Sequence, residues 1–225
     1  MGDRDVRAAQ RVPGGLKTPK AAAVAGILFS VLLLSALALV LQTLRLHPQD
    51  PGDWVGAQSW KVALALNLIP FAGIAFLWFM GVLRDRLGEQ ENRLFATVFL
   101  GSGLLFVGML FVAASAIGAI LITHAARPGE LPGSLTFALA RAFAYNLASI
   151  YAMKVASVFL LTASTIVLRT GITARWTAIA GYAAAAVILL GSHMVDWTFL
   201  VFPSWVLIVS CDILLREYRR AGPPA

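Results

Sequence analysis

Apolar runs of about 18 residues or more, the length that crosses the hydrocarbon core of a bilayer, recur along this chain. Six are present, at Ala21–Leu44, Val62–Val82, Leu94–Ile122, Ala144–Leu168, Trp176–Met194 and Trp197–Leu215. With 59% hydrophobic and 13% charged residues, the sequence does not have the composition of a water-soluble domain of 225 residues. The expected fold class is therefore all-α, an integral membrane six-helix transmembrane bundle. It divides into a basic tail over residues 1–20, a single transmembrane domain over 21–215 and a short basic tail over 216–225. The first run is far longer than the apolar core of a signal peptide, and no small-x-small cleavage site follows it, so it is expected to stay as the first span.

The stretch Leu83–Leu94, LRDRLGEQENRL, is the one interior segment dense in charge of both signs, and it reads as a cytoplasmic turn. With it placed there, the same side holds both tails and the turn between the fourth and fifth spans. Those segments carry Arg4, Arg7, Arg11, Lys17, Lys20, Arg84, Arg86, Arg93, Arg169, Arg175, Arg216, Arg219 and Arg220. The opposite side holds Arg45, Lys61, Arg127 and Arg141, and Lys154 lies within a span. Lys and Arg concentrate in cytoplasmic loops, so both termini are expected in the cytoplasm of a cell membrane. The net charge of +7 sits in clusters at the ends of apolar runs, as anchors beside anionic headgroups do, so the lipid bilayer is the expected partner and nucleic acid is not. A homo-oligomer or a membrane-protein partner remains open.

Local signals refine the spans. Pro70 should kink the second, and the third is longer than one crossing requires, so it must tilt or protrude. Pro128-Gly129 and Pro132-Gly133 mark turns, after which Ser134 offers an N-cap to a helix leading into the fourth span. Pro203 leaves open a later start of the sixth.

Lys154 is the strongest chemical anomaly, because a lysine at the centre of a membrane helix costs about 2.5 to 3.5 kcal/mol. Its stem could snorkel toward the outer surface, which needs no function. The functional alternative is a candidate polar pocket open to the outer face. Counted from the span ends, Asn67 and Ser115 share the depth of Lys154, and Asp196 in the outer turn is the candidate counter-ion. Asn146, Ser149, Ser157 and Ser164 fall on one side of the fourth span at about 3.6 residues per turn.

The three histidines, His47, His124 and His193, lie at outer span ends with acidic residues nearby, but none forms a close pair with another, so no metal site is expected. The single Cys211 excludes an intrachain disulfide. No nucleophile elbow, HExxH, phosphate loop or dinucleotide fingerprint occurs, so neither a cofactor nor an enzyme is expected.

The run FLWFMGVLRDRLGEQENRLFATVFLGSGLLF, Phe76–Phe106, resembles the region between the second and third spans of multi-span membrane proteins from high-GC bacteria. That group has no assigned activity. The resemblance implies a bacterial cytoplasmic membrane and supplies no functional residues. Two functions remain open, small-solute or ion handling through an outward-facing pocket and a structural or interaction subunit of a membrane complex.

Overall fold

The structure, a computed structural model, describes residues 18–43, 54–85, 93–191 and 197–221. Its elements are α1 (Thr18–Thr43), a short α2 (Trp54–Ala57), α3 (Ser59–Asp85), α4 (Arg93–Ala126), α5 (Leu135–Asn146), a π-helical segment (Leu147–Ala152), α6 (Met153–Thr170), α7 (Arg175–Gly191) and α8 (Thr198–Ala221). Helices dominate and no strand occurs among the described residues. In hydrocarbon each backbone polar group must be satisfied within its own segment, which a helix achieves.

Five helical stretches are long and apolar enough to cross a membrane: 20–43, 59–84, 94–126, 198–219 and the continuous 135–170 formed by α5, the π segment and α6. The sixth apolar helix, α7, has 17 residues and is shorter. The fourth long helix begins well before the expected buried part. Ser134 caps it, its Oγ accepting from the Phe137 N–H at 3.2 Å. Pro203 lies inside α8, which starts at Thr198, so the helix does not wait for the proline.

Contacts at the helix ends show how the helices are oriented in the bundle. Lys20 Nζ stands 5.3 Å from the centroid of the Tyr218 ring, which brings the first turn of α1 and the last turns of α8 to one end of the bundle. Arg169 lies 5.3 Å over the Phe95 ring, and Asp212 accepts a hydrogen bond from the Ala174 N–H, so the start of α4 and the α6–α7 turn share that end. At the opposite end the Trp54 and Phe137 rings are 6.3 Å apart, joining α2 to the start of α5. The six principal helices α1, α3, α4, α5–α6, α7 and α8 therefore alternate in direction.

The core is aromatic. Phe76 of α3 lies 4.6 Å from Phe29 of α1, 5.6 Å from Phe106 of α4, 5.0 Å from Phe159 of α6 and 5.6 Å from Phe202 of α8, centroid to centroid. Five helices thus meet on one ring, with the edge-on and tilted geometries that aromatic quadrupoles favour. Around this knot, close approaches depend on small residues. A Cβ at Gly26 would collide with Ser210 Oγ, and one at Gly181 with Ser164 Oγ.

Several hydroxyls within the long helices are satisfied by their own backbone, whereas the buried Ser164 and Ser210 hydroxyls have no partner among the described residues. Ser30 donates to the Gly26 carbonyl at 2.8 Å, Ser102 to Val98 at 2.7 Å and Thr170 to Ile166 at 2.8 Å. Bonding back to the preceding turn lets a polar side chain sit in an apolar helix without an external partner.

Candidate functional site

A cavity of about 540 Å³ opens in the half of the bundle that carries the α4–α5 connection. It is walled by α1, α3, α4 and the α5–π helix, and the start of α8 closes its inner end, with Phe199, Phe202 and Pro203 in the lining and no residue from α7. The architecture accounts for the space. Trp205 Nε1 donates to the Thr177 carbonyl, near the start of the 17-residue α7, so only the first turns of α8 rise past that level. The longer helices continue beyond the α7–α8 pair without it, and their inward faces enclose a void floored by Phe106 and Phe202 of the aromatic knot.

Arg141, Tyr145, Asn146 and Ser149 are the polar lining residues, and every other lining side chain is apolar. All four come from one helix. Arg141, Tyr145 and Ser149 recur every four residues and so share a helical face. The Arg141 guanidinium stands 5.7 Å over the ring of Phe137, which is buried against Trp54. Asn146 donates through Nδ2 to the Ala142 carbonyl at 3.0 Å. Ser149 is 2% exposed, and its hydroxyl has no hydrogen-bond partner among the described residues. The π segment in which it sits widens the helical turn, a feature that often marks functional positions.

The cavity also has a side opening. Leu41 on α1 and Ala138, Ala142 and Asn146 on α5 line it while exposed, and α1 and α5 do not pack along each other. In a bilayer such a gap faces acyl chains. An apolar enclosure of this size with a few convergent polar groups suits an organic ligand with one polar end. A hydrated ion would need polar groups throughout its path.

The structure does not gather the five residues expected around a polar pocket. Asn146 lines the cavity and the other described ones do not. Asn67 is exposed and donates to the Ala63 carbonyl at 2.8 Å, and Ser115 is exposed on α4. Lys154 is half-buried and makes no ion pair among the described residues, and its neighbour Met153 lines the cavity instead. Asp196 falls outside the described residues. Of the stripe on the fourth span, Ser149, Ser157 and Ser164 are buried and Asn146 is exposed, because the π turn breaks the single 3.6-residue period that aligned them.

The remaining sequence candidates are dispersed. His47 and His193 lie outside the described residues, and His124 near the end of α4 has a buried Nδ1 without a partner. No group of three or more His, Cys, Asp or Glu gathers among the described residues. Cys211 is a free, half-buried thiol.

Arg141, Tyr145 and Ser149 are cavity residues that loop-by-loop reading of the charge missed. Their signal was present as a spacing of four, with Ala138 and Ala142 on the same side, once the helix is taken to begin at Ser134. No protein-family model matches the chain, and neither the curated proteins nor the solved structures include a match to it.

Proposed function

We propose that the chain is a six-span protein of a bacterial cytoplasmic membrane, with both termini in the cytoplasm, that receives an amphipathic molecule from the surrounding bilayer in the cavity between α1 and α5. The lining carries this reading: a space of about 540 Å³, apolar except for polar groups on one helix face and bordered by exposed residues of two unpacked helices. The role assigned is binding or movement of that molecule, not its conversion.

The topology has independent support. Thirteen of the eighteen Lys and Arg fall on the side with the termini, the pattern cytoplasmic loops follow. With 17 residues at about 1.5 Å rise, α7 reaches roughly 25 Å, close to the hydrocarbon thickness of about 30 Å, and local thinning accommodates the rest. Handling of a hydrated solute or ion has less support, because Lys154, Asn67 and Ser115 do not line the cavity. A purely structural subunit would leave the cavity without an exchangeable occupant.

Native mass spectrometry of protein released from its membrane in mild detergent tests the reading. The wild type should carry a bound species in the mass range of lipids. Ala113→Phe, which projects a ring into the cavity from α4, should lose it while keeping the wild-type elution volume. A wild type free of adducts, or an Ala113→Phe variant that retains them in full, contradicts the proposal.

A further inference from the structure

Resting on that reading, we infer that the occupant is an uncharged lipid with a hydroxyl head, whose oxygen sits between Asn146 and Ser149 while its chain lies against the apolar walls of the cavity. The inference deepens the proposed function and depends on it.

The state of each polar lining group decides which of them can select a ligand. Arg141 and Tyr145 have partners of their own, so neither assigns a head group. Asn146 and Ser149 are the polar lining side chains whose bonds are all accounted for among the described residues. Their open positions can therefore be counted.

Ser149 has its hydroxyl to give. Ser30, Ser102 and Thr170 bond back to the preceding turn, whereas the Ser149 hydroxyl, in the π turn, has no partner among the described residues. The Ser164 and Ser210 hydroxyls are unpartnered as well, but those oxygens are sealed where they meet Gly181 and Gly26. Ser149 Oγ is not sealed. The residue is 2% exposed, and that remainder opens onto the cavity it lines. A hydroxyl held in an apolar enclosure without a partner is costly, so an occupant that accepts from it is favoured over one that does not.

Asn146 supplies the complement. Its Nδ2 donates to the Ala142 carbonyl at 3.0 Å, which fixes the way the amide faces and leaves Oδ1 as an open acceptor. The two residues stand three positions apart on one helix, where side chains are surface neighbours with Cβ atoms about 5 to 6 Å apart. Between them a donor is wanted by Asn146 and an acceptor by Ser149. A hydroxyl is the smallest group that offers both. A ketone, ester or ether accepts without donating, and a carboxylate does the same while adding a charge to an apolar enclosure. A water molecule would bridge the same two groups and leave the remaining apolar volume unfilled.

Position sets the orientation. Asn146 is exposed at the α1–α5 opening and Ser149 is buried just inside it, so the head is held near the entrance. The chain then lies against Leu37, Leu110 and Phe202, contributed by α1, α4 and α8.

The test uses the full-length protein in phosphatidylcholine nanodiscs and two photoreactive probes, diazirine-bearing hexadecanol and its methyl ether, with the labelled peptides mapped. The ether keeps the acceptor and loses the donor. The alcohol should label cavity peptides of the wild type about fivefold more than the ether, the advantage of one neutral hydrogen bond. In Asn146→Ala that ratio should fall to near one while the ether still labels the cavity, which also reports that the variant is folded. In Ser149→Ala both probes should label about fivefold less and keep their ratio. Unlabelled hexadecanol and 1-hexadecanoylglycerol present the same hydroxyl from different sources, so the better competitor identifies the source, and both should outcompete hexadecanoic acid. Equal labelling of the wild type by alcohol and ether overturns the hydroxyl assignment and leaves the cavity reading standing. So do a ratio unchanged in Asn146→Ala, labelling unchanged in Ser149→Ala, and stronger competition by the acid. Failure of both probes to label cavity peptides overturns the two together.

Discussion

The indole Nε1 of Trp205 on α8 donates to the carbonyl oxygen of Thr177 on α7 across 3.0 Å, and this bond sets the height at which the two helices join. Both residues are buried, and Gly181, one turn along α7, lets the indole come close, since a Cβ there would stand 2.7 Å from the same Nε1. Interhelical hydrogen bonds in membranes are worth about 0.6 kcal/mol on average, so Trp205→Phe should lower stability by roughly 1 kcal/mol once the lost ring area is included. Gly181→Val should cost more, about 1 to 3 kcal/mol, because it overpacks a site with no slack. Thermal unfolding in nanodiscs ranks the two. A Gly181→Val protein more stable than Trp205→Phe would contradict the close approach.

Asp212 ties the α6–α7 turn to α8. One of its oxygens accepts both the Ala174 N–H at 3.0 Å and Arg216 Nε at 2.8 Å. Removing the carboxylate leaves a backbone donor and a guanidinium without it, so Asp212→Ala should cost about 1.5 to 3 kcal/mol. Arg216 is 39% exposed, and Arg216→Ala should cost under about 1 kcal/mol, as solvent-screened pairs do. Urea or SDS unfolding midpoints measure the difference. Equal losses in the two variants would assign the stabilisation to the ion pair instead of the turn.

Phe76 is the ring on which five helices converge, and it is fully buried. Phe76→Ala should destabilise by about 3 to 5 kcal/mol through the lost contacts and the cavity left behind. Phe71, exposed on the same helix, serves as the control, and Phe71→Ala should change stability by less than about 0.5 kcal/mol. The relative yield of folded protein after mild heating reads both.

The contact between Lys20 and Tyr218 puts the first and last described helices at one end of the bundle, so tags at the two termini should report the same side of the membrane. Protease treatment of sealed, right-side-out cells should spare both. Cleavage of one tag and not the other would contradict the alternation of passes.

Much of the helical skeleton was legible because it follows from one-dimensional signals. The Ser134 cap, the Pro128-Gly129 and Pro132-Gly133 turns and the apolar lengths act locally, and local physics reads directly from sequence. The cavity was not legible. It depends on the height at which the α7–α8 pair stops, which Trp205 and Thr177 determine across a sequence separation of 28. It depends also on a π turn at Leu147–Ala152 that no residue pattern announces and that takes Asn146 out of line with Ser157 and Ser164. Lys154 drew attention as an isolated charge in a span, whereas Arg141, assigned by sequence to an outer connection, is in the cavity wall because the helix begins earlier than its apolar part.

Oxygen and nickel-chelate collision rates at a spin label attached to Ala113→Cys, in a Cys211→Ser background and a phosphatidylcholine bilayer, distinguish a cavity continuous with acyl chains from one filled with water. Oxygen concentrates in hydrocarbon and the chelate stays in the aqueous phase. Oxygen collisions should dominate. A label relaxed as readily by the nickel chelate as by oxygen would mean that water fills the space between α1 and α5, and a bilayer-derived occupant could not be its ligand.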